Sequence, residues 1–127
     1  MTVDRDTARR WAEWLGWARV GLGAVAFVAP TVPGRPWVGA DADSAGARVL
    51  ARALGGRDMA LGIGAVLALR HDGPVRGWVE GGALADAGDA VATVLAWRSL
   101  PRVSRWGILA VTVGAVAAAR VLAPAVD

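Results

Sequence analysis

The sequence predicts an all-α protein, a four-helix transmembrane bundle, and three observations carry that prediction. First, Val20–Ala29 and Trp106–Ala119 are free of charge and apolar all round, which a helix at a water-facing surface is not. Second, the tryptophans gather at segment ends. Trp11, Trp14 and Trp17 open the first segment, Trp78 and Trp97 bracket the third and Trp106 opens the fourth, as in the aromatic belts of membrane helices. Third, Gly107, Ala110, Gly114 and Ala118 recur at spacings of three and four, a stripe along which membrane helices approach closely.

The segments follow from the breakers between them. The first helix is expected over about 7–29 and ends at Pro30, with Pro33, Gly34, Pro36 and Gly39 forbidding continuation. The second is expected over 45–69, after Asp41, Asp43 and Ser44, which suit an N-cap and first turn. Residues 70–74, Arg-His-Asp-Gly-Pro, form a turn before the third helix, over 76–98. Ser99 and Pro101 break the chain again, with Ser99 the expected cap, and the fourth helix spans 102–122, ahead of Pro124. Apolar segments of about 19–25 residues reach roughly 28–37 Å as helix, enough for a hydrocarbon core of about 30 Å.

Composition bounds the rest. The chain of 127 residues makes one domain, 1–127, with 55% hydrophobic and 20% charged residues and a mean hydropathy of +0.42. There is no Cys, which excludes disulfides and thiolate metal sites, and no Lys, Asn, Gln or Tyr. The net charge of +3 and a pI near 11.2 raise nucleic acid as a partner. The 14 arginines, however, lie singly or in pairs at segment ends, a pattern that suits anionic lipid headgroups. The lone His71 lies in a turn with no second ligand nearby, so no metal and no cofactor are expected.

The strict membrane criterion of about 18 apolar residues with few charges is not met. Arg19 interrupts the first segment, Arg52, Arg57 and Asp58 the second, and Glu80, Asp86 and Asp89 the third. A soluble four-helix bundle is the competing reading. Arginine is spread over both ends: Arg5, Arg9, Arg10, Arg70 and Arg76 at one, Arg35, Arg98, Arg102 and Arg105 at the other. The expectation is a multi-pass protein of the cell inner membrane with both termini cytoplasmic.

Residues 51–64 read ARALGGRDxALGxG and residues 85–90 read ADAxDA. This pair of motifs resembles a family of small four-helix actinobacterial membrane proteins grouped as a domain of unknown function. The resemblance spans most of the chain. It implies four membrane helices and no established activity, and it transfers no functional residue.

Chemistry is expected where the second and third helices carry charge. Gly55, Asp58 and Gly62 share one face of the second, with Arg48 beside them and Arg57 about 100° from Asp58. Gly82, Asp86, Asp89 and Thr93 share a face of the third, and Glu80 points away. Counted from the intervening turn, Arg57 and Asp58 fall at the depth of Asp86 and Asp89. Central charges cost about 2.5–3.5 kcal/mol each on the insertion scale, so Arg52, Arg57 and Asp58 together cost roughly 6–10 kcal/mol if unpaired. The candidate polar network is therefore Arg48, Arg52, Arg57, Asp58, Asp86 and Asp89. At least one of Asp86 and Asp89 is expected to pair with an Arg of the first or second helix, foremost Arg52 or Arg57, with Asp58 a shared acceptor.

With no catalytic motif, the expected function is a non-enzymatic helix-bundle module. Its partners would be the lipid bilayer and a second copy, a membrane protein or an apolar small molecule. The alternatives are a small proton-coupled transporter, or a membrane enzyme acting on a lipid or isoprenoid with Asp86 or Asp89 as general acid.

Overall fold

The computed structural model describes residues 3–127. Its elements are α1 (Arg5–Val28), α2 (Thr31–Val38), α3 (Ala45–Arg70), α4 (Arg76–Leu95) and α5 (Arg102–Leu122). Two 3-10 turns, Gly39–Asp43 and Trp97–Ser99, follow α2 and α4, and there is no strand among the described residues. The all-α expectation holds, and the four long helices lie where the breakers placed them.

The count of four is corrected to five. Pro30 ends α1 as expected, but the chain recoils at once into α2, at 94° to α1. Pro33 sits in the first turn of α2, where N–H groups lack intrahelical acceptors anyway, so its missing donor costs little. The third long helix stops at Leu95, short of residue 98, and Ser99 lies in the 3-10 turn, leaving α5 to start behind Pro101 with no side-chain cap. Among the described residues one helix alone, α5, is long and apolar enough to cross a membrane, and α1 with its bent continuation passes the same test as a pair.

Polar groups at the helix ends are satisfied locally and at long range. Asp4 accepts from the Thr7 N–H at 2.9 Å, which holds its carboxyl below the usual carboxylate range. Ser44 accepts from Ala47 N–H at 3.1 Å, the N-cap that the sequence expected. The start of α4 has no local cap. Instead Asp127 Oδ1 accepts from the backbone N–H of Val75 at 2.7 Å and of Arg76 at 3.3 Å. Arg9 donates to the Leu69 carbonyl at the end of α3, to Asp72 and to the Val126 carbonyl. Around these contacts lies a small core of Ala8, Ala12, Val75, Leu122 and Val126. Both ends of the described chain therefore meet at one end of the bundle.

The tightest packing joins α1 to α3, antiparallel, through glycine. A Cβ built on Gly23 would stand 2.5 Å from the Gly55 carbonyl oxygen, and one on Gly55 would stand 2.5 Å from that of Gly23. Gly16 and Gly62 oppose each other in the same way one heptad further along. At the closest points the obstacle is a backbone carbonyl, which cannot yield as the end of a side chain can. By contrast α4 packs chiefly on α5, and these two pairs meet only thinly.

Within the chain, the expected packing stripe of α5 is not used. Gly107 and Gly114 meet nothing that a Cβ would touch, and Ala110 is exposed. The helix turns Thr112, Ala119 and Leu122 inward instead.

The same substitution should then have opposite signs on the two helices. Gly23→Ala is expected to lower the stability of the fold by about 1–3 kcal/mol from overpacking. Gly114→Ala should leave it unchanged or raise it by up to about 1 kcal/mol through helix propensity. Thermal unfolding followed by circular dichroism reads both, and equal responses would refute the assigned interface. Asp127→Ala should cost about 0.5–2 kcal/mol, the range of a lost N-cap, in the same assay.

Candidate functional site

Midway along the helices, two arginines and three aspartates form one cluster. Arg19 of α1 reaches across the glycine contact: its Nη1 donates to Asp58 Oδ1 of α3 at 3.1 Å, and its Nη2 to the Gly82 carbonyl of α4 at 3.0 Å and to Asp86 Oδ2. Arg57 of α3 donates from both terminal nitrogens to Asp89 of α4, at 2.9 and 2.8 Å, and from Nη2 to Asp58 Oδ1 at 3.2 Å. Asp58 is thus the shared acceptor that joins the two guanidinium groups. These side chains keep only 13–30% of their exposure. In such surroundings bidentate Arg–carboxylate geometry is favoured over isolated charge.

Glycine spacing delivers the pieces. Residues 16–23 read G-x-x-R-x-x-x-G and residues 55–62 read G-x-x-D-x-x-x-G. In an antiparallel pair held at those glycines, Arg19 and Asp58 land opposite each other halfway between the two close approaches. Gly82 continues the logic on α4: a Cβ there would stand 3.1 Å from Arg19 Nε, so its absence lets the guanidinium lie flat on the helix.

Of the expected network, Arg57, Asp58, Asp86 and Asp89 come together, and the expected pairing of Asp86 or Asp89 with an Arg of the first or second helix is present. Arg52 and Arg48 do not join. Arg52 lies about two turns into α3 and donates from Nε to the Phe27 carbonyl at 3.0 Å, satisfying an orphan acceptor at the C-terminal end of α1. Arg48, a turn earlier, is exposed and outside the cluster. Both sit too near the bend into α2 to reach the level of Asp86. Glu80 pairs with Arg76 on the surface, at 2.7 Å, one turn apart on α4. Arg19 takes the place assigned to Arg52, and the mirrored glycine spacing is the sequence signal for it.

The cluster lines a cavity of about 380 Å³ that touches all five helices. Its only charged lining residues are Arg19, Arg57, Asp58, Asp86 and Asp89, and the remainder is chiefly Ala, Gly, Leu, Val and Trp. Asp89 is fully engaged by Arg57, but Asp58 Oδ2 and Asp86 Oδ1 accept nothing from the described residues and are not sealed off. Arg57 Nε is buried without an acceptor among the described residues.

Trp37 was not foreseen, because its segment reads only as a break. Carried by α2, it donates from Nε1 to Thr93 Oγ1 at 3.2 Å, and Thr93 in turn donates to the Asp89 carbonyl at 2.8 Å. Its ring borders both the main cavity and a second of about 260 Å³, lined also by Pro30, Leu50, Thr93 and Leu100. Trp78, the other indole of the main cavity, lies over Gly64 with no room there for a Cβ. Among the described residues no group of acidic, His or Cys side chains is arranged to hold a metal ion. No family model, curated relative or solved structure matches the chain, so the geometry alone carries the functional argument.

Double-mutant cycles should separate members of the cluster from bystanders. Arg57→Ala or Asp89→Ala alone is expected to cost about 1.5–3 kcal/mol, the range of charged hydrogen bonds, with clear coupling between the two. Arg48→Ala and Arg52→Ala should show coupling to Asp86 and Asp89 below about 0.5 kcal/mol. Coupling of Arg52 to either aspartate would contradict the assignment.

Proposed function

We propose that the chain is a membrane-embedded bundle with α1, α3, α4 and α5 as spans, and that it binds an apolar small molecule in the cavity beside the Arg–Asp cluster. The observation that carries the reading is the inversion of the usual layering. The largest fully buried side chains are only Val75, Val126 and Thr93, and the closest helix contact, α1 on α3, is made at glycines. Leu, Val and Trp cover the outside, as at Leu95, 83% exposed, and Val103, 86% exposed. In water such a surface is an association liability, whereas in lipid it is solvated.

Two further facts support this reading. Trp11, Trp14, Trp17 and Trp78 fall towards one end of the bundle and Trp37, Trp97 and Trp106 towards the other, with the charged cluster between them. Arg70 lies over Trp17 at 5.5 Å and Arg105 over Trp97 at 4.8 Å, the cation–aromatic pairing that suits the headgroup level. The charges of α3 and α4 that defeat a simple hydropathy test are those that pair in the interior or cap α1, apart from exposed Arg48, Arg70 at the end of α3 and the surface pair Arg76–Glu80. Segments that insert poorly alone gain partners on assembly.

A cavity of about 380 Å³ lies at the small end of the range for ligand sites, about 300–1,000 Å³. Acid catalysis is the weaker reading. Both oxygens of Asp89 and one of Asp86 are already occupied by arginine nitrogens, and no catalytic motif stands beside them.

The protein should sediment with membranes and resist alkaline carbonate extraction; recovery in the soluble fraction without detergent would overturn the membrane reading. In phosphatidylcholine nanodiscs, a two-ring aromatic probe, 1-naphthylmethanol or its amine counterpart, should show saturable binding above empty discs by ligand-observed NMR. Ala115→Phe, which fills the cavity from α5, should abolish it. Absence of saturable binding by both probes would refute the binding reading.

A further inference from the structure

We infer that the ligand is an organic monocation: an apolar body carrying one ammonium-type group. This inference rests on the binding reading above and adds the charge of the ligand. The cavity holds two guanidinium charges against three carboxylates, a formal excess of one negative charge, with no other ionisable side chain in its lining. The excess is not spread evenly. Asp89 and one oxygen each of Asp58 and Asp86 are spent on Arg19 and Arg57. What is left is a pair of acceptors, Asp58 Oδ2 and Asp86 Oδ1, on two residues that share the Arg19 guanidinium and face the cavity.

The rest of the lining agrees with a cation and not an anion. The terminal nitrogens of both arginines already donate to carboxylates and the Trp37 indole N–H donates to Thr93. Arg57 Nε has no acceptor among the described residues but is buried, so a bound anion would meet few open donors beside three carboxylates. Trp37 and Trp78 instead offer aromatic faces in the same cavity, and an ammonium is attracted to indole faces as well as to carboxylates. The apolar walls would take the ligand's hydrocarbon part. The cluster lies midway along the helices, so the headgroup of a phospholipid anchored at the interface does not reach it. A free amphiphilic amine that partitions into the bilayer does.

The test is a matched pair of probes, 1-naphthylmethylammonium and neutral 1-naphthylmethanol, titrated into the full chain in phosphatidylcholine nanodiscs and corrected with empty discs. The ammonium is expected to bind at least about tenfold more tightly than the alcohol, the value of roughly one charge-assisted hydrogen bond. Asp86→Asn should bring the two affinities together by weakening the amine alone. Ala83→Lys, one turn before Asp86 on α4, supplies a cation from within and should do the same with the cluster's carboxylates intact. Equal wild-type affinities would overturn the charge inference and leave the apolar-cavity reading standing. Binding of neither probe would overturn both.

Discussion

The close contact of α1 with α3 sets the terms for the rest of the structure. Gly16 and Gly23 press on Gly62 and Gly55 at backbone distance, with Val20, Met59 and Val66 packed at the edges of the two crossings. That distance is what brings Arg19 within hydrogen-bonding reach of Asp58 and, past it, of the Gly82 carbonyl and Asp86 on α4. A wider pair would strand the guanidinium in an apolar interior, where an unpaired charge costs several kcal/mol. The glycines and the charges thus depend on each other: small residues permit the approach and the ion pairs reward it.

The thin meeting of the two helix pairs follows from the same economy. Between the α1–α3 pair and α4 run two polar links, Arg57 of α3 with Asp89 and Arg19 of α1 with Asp86. Long side chains span the space between the pairs at the level of the cluster. That space is the cavity, charged at one wall and apolar elsewhere. Helix α2 closes part of it by placing Trp37 against Thr93. A segment that reads as a mere break in the first helix therefore supplies a wall of the site.

Buried small residues and exposed large ones give the molecule its character. Packing of Gly and Ala gains dispersion contacts between backbones but little from removing hydrocarbon from water. The fold must then rest on hydrogen bonds, ion pairs and backbone fit, with caps such as Asp127 on α4 and Arg9 on the end of α3 joining distant parts of the chain.

The amino-acid order determined the helical class, the four long segments and the depth at which Arg57, Asp58, Asp86 and Asp89 lie, because breakers, apolar runs and a rise of about 1.5 Å per residue are local properties. It also held the mirrored glycine spacing around Arg19 and Asp58, which acquires meaning only once two helices are known to run antiparallel in that register. Tertiary structure alone decided that Arg52 caps α1 while Arg19 enters the cluster, since a wheel projection gives direction on a helix but not which neighbour stands there. It likewise turned Gly107 and Gly114 of α5 outward, brought Asp127 to the start of α4 and set Trp37 against Thr93. Each of these is a contact between residues remote in sequence, fixed by how whole helices pack and by no preference of the residues themselves.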